Sequence, residues 1–220
     1  AGGKKVVLID LSHQNAFLRD ELVMLVSEIV SRDAVVRYLS SSMDFRFALQ
    51  EATSLLIISP TREFSNDELT AIRDFVKKGK RLLIMNEPTR AFPTAANGLS
   101  GDFGITFGND YLYSLNEYDG IYRNIYVTHF GTSELTDGLN KIVLYTASSV
   151  YSKTGRIAFT DNETFSSEAE KPSEYAIMVF KEGEGIAAIG DMTFLTEPYC
   201  YVEDNYRLLT NVAAFLTGRG

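Results

Sequence analysis

The sequence predicts an α/β protein of three layers, α/β/α, built on a mostly parallel sheet. Three observations predict it. Short, continuous apolar runs recur through the first half, as strands buried on both faces require. Stretches of helical period lie between those runs, so strand and helix alternate. The closing third carries a β-hairpin and one long amphipathic helix.

Taken in order, Lys4 to Asp10 is the first strand, and Phe17 to Val30 is a helix with Leu18, Leu22, Leu25, Val26 and Ile29 on one face. The segment AVVRYLS is the second strand, Met43 to Glu51 a short helix, and SLLIISP the third strand. Ser65 and Glu68 then stand three apart ahead of Leu69, Ile72, Phe75 and Val76, the pattern of a capping box opening a helix. Lys77 and Lys78 suit the negative end of that helix, Gly79 supplies a left-handed cap, and RLLIM is the fourth strand. Short links between such units imply right-handed crossovers.

Residues 86–140 read differently. Gly, Asn, Asp and Tyr abound there without a helical period, and ITFG and IYVTHF are short β-like pieces, so an irregular, β-rich insertion is expected. KIVLYTASSVY and RIAFT are further strands, and two apolar runs flank Glu182-Gly183-Glu184-Gly185 as a hairpin whose glycines are free to take positive φ. The last helix starts near Asp204, with Asp204 or Asn205 as its cap. One domain over residues 1–220 is the simplest organisation at this length.

A net charge of -8, without a Lys/Arg stripe, argues against nucleic acid as a partner. The single cysteine, Cys200, excludes an intramolecular disulfide and a Cys-rich metal site. No apolar run reaches the length of a membrane helix. The opening AGGKK reads as an expression remnant or as the start of a domain cut from a longer chain, and LTGRG stops just after a helix, both compatible with a removed signal peptide or anchor; the sequon at Asn162 is compatible with export. Both a cytoplasmic and an extracytoplasmic domain of a larger protein fit.

In doubly wound sheets, ligands meet the carboxyl ends of the parallel strands. Those ends carry Asp10, Ser12, His13 and Asn15 after the first strand, Arg62 after the third, Glu87 and Arg90 after the fourth, and Asp191 after the last. If these strands are neighbours, the eight residues share one rim and form the candidate binding site. Each also has a plain structural reading: Asp and Ser at strand ends accept backbone N–H groups, which is the favoured role for Asp191. His13 is equally suited to fixing its loop and to proton or metal chemistry. One histidine is no metal site, and neither metal nor cofactor is expected. His129 reads as a strand residue. Tyr111, Tyr113, Tyr118, Tyr122 and Tyr126 are expected mainly to pack, with a sugar-stacking or protein-binding face as the other reading.

Four segments together, LIDLSHQN, NDELTAIRDFVKKGKRLLIMNEP, FGITF and GEGIAAIGDMTFLTE with the following DNYRLLTNVAAFL, resemble the class I glutamine-amidotransferase-like domains that lack the catalytic cysteine. Similar domains are the auxiliary domains of gliding-motility ABC transporters, the intraflagellar-transport domain and a prokaryotic domain family of unknown function. The resemblance implies a flavodoxin-like fold and a binding or assembly role. The nucleophile position of that fold falls near Asn86 and Glu87, neither of them a cysteine, and no histidine follows Cys200. The first turn has no glycine, which argues against dinucleotide binding, and there is no G-x-S-x-G elbow. The expected function is a non-catalytic binding or assembly module, transporter-associated or at the cell surface, with a protein, a small polar ligand or a carbohydrate as partner. The alternative is a hydrolase or carbohydrate-active enzyme using Asp10, His13, Glu87 and Asp191.

Overall fold

Five-residue apolar strands set the centre of the molecule. The computed structural model describes residues 3–218, so Ala1, Gly2, Arg219 and Gly220, the outermost residues of AGGKK and LTGRG, lie outside the described residues. β1 (Val6–Asp10), β2 (Val35–Leu39), β3 (Ser54–Ile58) and β4 (Arg81–Met85) are parallel, in the spatial order 2-1-3-4. The middle segment adds short strands β5 (Thr106–Phe107), β6 (Leu112–Tyr113), β7 (Asn124–Val127), β8 (His129–Phe130), β9 (Ile142–Tyr145) and β10 (Val150–Tyr151). β11 (Arg156–Phe159), β12 (Phe165–Ser166), β13 (Ala176–Lys181) and β14 (Ile186–Ile189) follow. β14 pairs parallel with β4, and β13, β11 and β8 extend the sheet antiparallel, giving eight strands in the order 2-1-3-4-14-13-11-8.

Alternation along the strands builds two cores. Val7, Ile9, Leu56 and Ile58 face α1 (Val23–Ser31) and α5 (Asn205–Thr217), whereas Leu8, Leu55, Ile57 and Leu82 face α2 (Phe45–Glu51), α3 (Asn66–Lys77) and α4 (Thr94–Ser100). Every central β3 residue is buried, which is why that strand reads as an unbroken apolar run. The three-layer α/β fold is therefore as expected.

Local signals explain most of the helices. The Ser65 hydroxyl accepts from Glu68 N–H (3.1 Å) and the Glu68 carboxylate from Ser65 N–H (2.8 Å), so the capping box opens α3. Gly79 closes it at φ +83°. Four expectations need correction. The helix expected from Phe17 starts late: Leu18 is extended, Glu21 bonds its N–H, and Arg19–Leu22 forms a tight 3-10 turn before α1. Residues 86–140 contain α4, whose small residues Thr94, Ala95, Ala96 and Gly98 gave no apolar period. In the hairpin only Gly185 takes positive φ (+71°); Gly183 does not. Asp204 stands at the N-cap position of α5 as expected, but its side chain makes no capping bond to the helix. Asp204 accepts from Asn140 and Lys141 N–H (2.8 and 2.9 Å), and Asn205 bonds both backbone groups of Val143 (2.9 and 3.0 Å). Both side chains serve the middle segment because its backbone leaves groups that no ladder satisfies.

Candidate functional site

The carboxyl ends of β1, β3, β4 and β14 do share one rim, since these strands are neighbours. The chain reverses its direction of winding between β1 and β3, the switch point where such sheets usually open a crevice. Here the crevice is filled by the protein. Ala16 N–H donates to Ser59 C=O (2.9 Å), Thr61 and Arg62 N–H both donate to His13 C=O (2.9 Å each), and the Asn15 amide donates to Ile58 C=O (3.0 Å). The Arg62 guanidinium donates to Ser12 C=O. Gln14 (φ +48°) and Ser59 (φ +42°) hold left-handed backbone at this junction, each costing about 1–3 kcal/mol that the surrounding bonds must offset.

Two side-chain clusters stand on the rim. In the first, Asp10 Oδ1 accepts from Ser12 N–H (2.9 Å) and Ser12 Oγ–H (2.6 Å), while Oδ2 accepts from His13 Nδ1 (2.8 Å) and Asn15 (3.3 Å). His13 Nε2 meets Glu68 Oε1 at 3.1 Å, and the ring stacks on Phe64 with centroids 3.8 Å apart. Both ring nitrogens face carboxylates, so both donate and the ring is an imidazolium. Burial opposes that charge, but Asp10 and Glu68 outweigh it and raise the His13 pKa above its ordinary value. Burial likewise opposes the Asp10 charge, and His13 with Ser12 nevertheless holds its pKa below the usual range.

In the second cluster, Glu87 Oε1 accepts from Met192 N–H (3.3 Å), Thr193 N–H (3.0 Å) and Thr193 Oγ–H (2.7 Å), and Oε2 accepts from Thr89 (2.8 Å) and Arg90 Nε (3.0 Å). Arg90 also forks onto Glu21 (2.8 and 2.6 Å), a bidentate pair. Asp191 is fully buried, accepts from Tyr145 and Phe194 N–H (3.3 and 3.2 Å), and hydrogen-bonds Glu87. Burial, then the Glu87 charge, push the Asp191 pKa well above the carboxylate range; Glu87 itself lies low despite burial, held by Asp191, Thr193, Thr89 and Arg90. That direction favours the protonated acid, in which Asp191 donates to the Glu87 carboxylate. Beside it opens a cleft of about 670 Å3 lined by Glu21, Glu87, Arg90, Thr193, Glu197 and Tyr199 among others.

The eight expected residues therefore divide into Asp10, Ser12, His13, Asn15 and Arg62 on one side and Glu87, Arg90 and Asp191 on the other. No side-chain hydrogen bond joins the clusters among the described residues; they communicate through Ser59, whose hydroxyl meets Glu87 N–H at 3.4 Å. Sequence reasoning missed Glu68, Glu21 and Thr193 as members. Glu68 was visible only as half of a capping box, and nothing local places a residue 55 positions away onto His13. Asn86, at the end of β4 where the resemblance to amidotransferase-like domains places a nucleophile, is buried and its amide donates to Ala91 C=O (3.2 Å). Cys200 is buried. Among the described residues no group of three or more His, Cys, Asp or Glu is arranged to hold a metal ion, and no helix is long and apolar enough to cross a membrane. His129 lies exposed in β8. Tyr113 stacks on Phe165 (5.3 Å) and meets Tyr122 edge-on (5.7 Å), while Tyr118 and Tyr122 remain over 40% exposed, at 41% and 43%.

Self-satisfied carboxyl groups along the rim of a sheet whose parallel strands run 2-1-3-4 define a three-layer α/β module. The chain belongs to the family described as "Domain of unknown function (DUF4350)", whose model matches residues 25–213. No curated protein matches it. Among solved structures it is similar to the mmIFT52 N-terminal domain at 16% identity, over 97% of this chain and 98% of that one, with a TM-score of 0.79. It is also similar to a ThuA-like protein from Bacteroides uniformis ATCC 8492 (10% identity, 97% and 91% covered, TM-score 0.54). A third is alpha-L-fucosidase isoenzyme 2 from Paenibacillus thiaminolyticus (14% identity, TM-score 0.52), where 97% of this chain matches 32% of the enzyme. At these identities the likeness is one of fold.

Proposed function

We propose that residues 1–220 form one non-catalytic assembly module that engages a protein partner. The observation carrying this reading is the filled switch point: His13 is 0% exposed with both ring nitrogens on carboxylates, and the loops after β1 and β3 bond each other across the crevice. A general base or nucleophile needs a free valence toward substrate, and these groups have none. The shape shared along nearly its whole length with the mmIFT52 N-terminal domain supports the same reading. Its finer form, a transporter-associated or cell-surface role, rests on the resemblance to auxiliary domains of gliding-motility ABC transporters.

The alternative, a carbohydrate-active hydrolase or a receptor for a small polar ligand, has the Glu87–Asp191 proton-sharing pair and its cleft in its favour. A panel of nitrophenyl glycosides, with and without Mg2+, Mn2+ and Zn2+, separates the two. No turnover is expected. Turnover that disappears in Glu87→Gln would overturn the assembly reading. In parallel, partners cross-linked to the chain in cells are purified and recombined with it. A complex of fixed stoichiometry is the expected result.

A further inference from the structure

The assembly reading says nothing of where a partner sits. We propose that β2 is the docking edge: an extended segment of a different protein adds beside β2 as a ninth strand and seats an apolar side chain in the groove next to α2. This rests on the assembly reading and names the chemistry of the partner.

Three observations carry it. β2 ends the sheet on its parallel side. Val35 N–H donates to Lys5 C=O (2.8 Å), and Leu39 C=O accepts from Leu11 N–H (2.8 Å), so residues 35, 37 and 39 face β1. The N–H and C=O groups of Val36 and Tyr38 consequently face outward, and only another extended backbone matches their spacing. The opposite edge, β8, is two residues long and offers no such ladder.

Alongside β2 runs a groove of about 610 Å3 between the sheet and α2, with Leu8 in its floor and Met43 and Phe47 on its wall. Met43 and Phe47 are 53% and 63% exposed. Side chains of an added strand alternate between faces, so every second one enters this groove.

Charge then selects the occupant. Arg19, Arg37, Asp44 and Glu51 line the groove; Asp44 is held as the cap of α2 and Glu51 lies 3.7 Å from Arg37, while Arg19 lies over the Tyr38 ring at 3.8 Å with no carboxylate within 4 Å among the described residues. A partner strand carrying a carboxylate across from Arg37 complements this edge. A second copy of the chain does not: two-fold pairing centred on β2 sets Arg37 opposite Arg37, and like charges in that position repel.

The test pans a phage library of random octapeptides against the immobilised chain and measures the enriched peptides, as synthetic fluorescent probes, by anisotropy. Enriched sequences are expected to alternate apolar residues and to carry Asp or Glu. Val36→Pro deletes an outward N–H, which edge strands tolerate, together with the half-buried Val36 side chain that packs on the core, whereas Phe47→Glu alters an exposed side chain. Phe47→Glu is expected to retain the wild-type Tm, Val36→Pro to stay folded with a lower Tm, and both to lose at least tenfold in affinity. In the complex, hydrogen exchange at Val36 and Tyr38 is expected to slow at least tenfold. Failure to enrich any peptide, equal binding by both variants, protection confined to another surface such as Leu115 to Tyr122, or a homodimer abolished by Val36→Pro would each overturn the proposal. Should Val36→Pro still assemble with the cellular partner, the edge is wrong and the assembly reading stands. Glycoside turnover would remove the reading itself.

Discussion

His13 shows how little a residue type says without its neighbours. It lies between Asp10 and Glu68, stacked on Phe64, and its charge is part of the fold. Removing it strands Asp10 as a buried carboxylate without its ion partner, the situation in which breaking a pair costs about 3–5 kcal/mol. His13→Gln should therefore lower the unfolding free energy by roughly that amount in urea titrations. The sign of the pH dependence follows from the shifts. The His13 pKa is raised, so its contribution is complete below the unfolded value of about 6.5 and is lost as pH rises through the folded value. The Asp10 pKa is lowered, so its contribution is present above about 3.9 and is lost as pH falls through the folded value. Wild-type stability should peak between these limits, and His13→Gln should flatten the alkaline flank. Asp191 gives a second residue-scale prediction. Its pKa is raised, so its contribution to stability is complete below the unfolded carboxylate value of about 3.9, falls by about 1.4 kcal/mol per pH unit above it, and is lost as pH rises through the folded value, where ionisation places a second charge against Glu87. Asp191→Asn keeps a donor toward Glu87 and removes that titration. Urea midpoints should show the variant gaining on wild type as pH rises from about 4, and the gain levelling off once the folded Asp191 has ionised.

At the scale of elements, turns decide more than propensity. Gly79 sits at φ +83° with nothing within 4 Å of where a Cβ would stand, so Gly79→Ala carries only the left-handed penalty, about 1–2 kcal/mol. Gly190 is the opposite case. Its φ is ordinary, but a Cβ there would lie 2.3 Å from the carbonyl oxygen of Ser148, a backbone atom that cannot swing away. Gly190→Ala should be the more damaging of the two, in thermal midpoint and in soluble yield. The capping box that opens α3 was readable from Ser65 and Glu68 because both partners lie within one turn. The capping bond expected of Asp204 or Asn205 is missing because α5 starts beside the unpaired backbone of residues 140–143, which claims both side chains.

For the whole molecule, a polar knot joins the short strands of the middle segment. Asp110 accepts from Ser149 N–H (3.0 Å), Ser149 Oγ–H (2.9 Å) and Ser166 Oγ–H (2.7 Å), joining stretches 39 and 56 residues away. Asp110→Ala should cost about 1.5–3 kcal/mol locally. It should accelerate hydrogen exchange around β5, β6, β10 and β12 while β1, β3 and β4 stay protected; uniform acceleration would mean the segment is no separable unit. The eight-stranded sheet itself depends on none of these bonds, being held by two apolar layers.

The sequence by itself determined the strands of the parallel half of the sheet, most of the helices between them, the hairpin and which polar residues stand at the strand ends. Those features arise from periodicity, caps and turns, all of which act within a few positions of the chain. Tertiary structure alone decided that the rim residues form two clusters and that Glu68 and Glu21 join them. It also decided that loops bond across the switch point and that β2 is left open at an edge next to α2. The physical reason is separation along the chain. A hydrogen bond between residues 55 or 69 positions apart leaves no trace in local pattern, because strand order and loop docking create it only after the sheet has assembled.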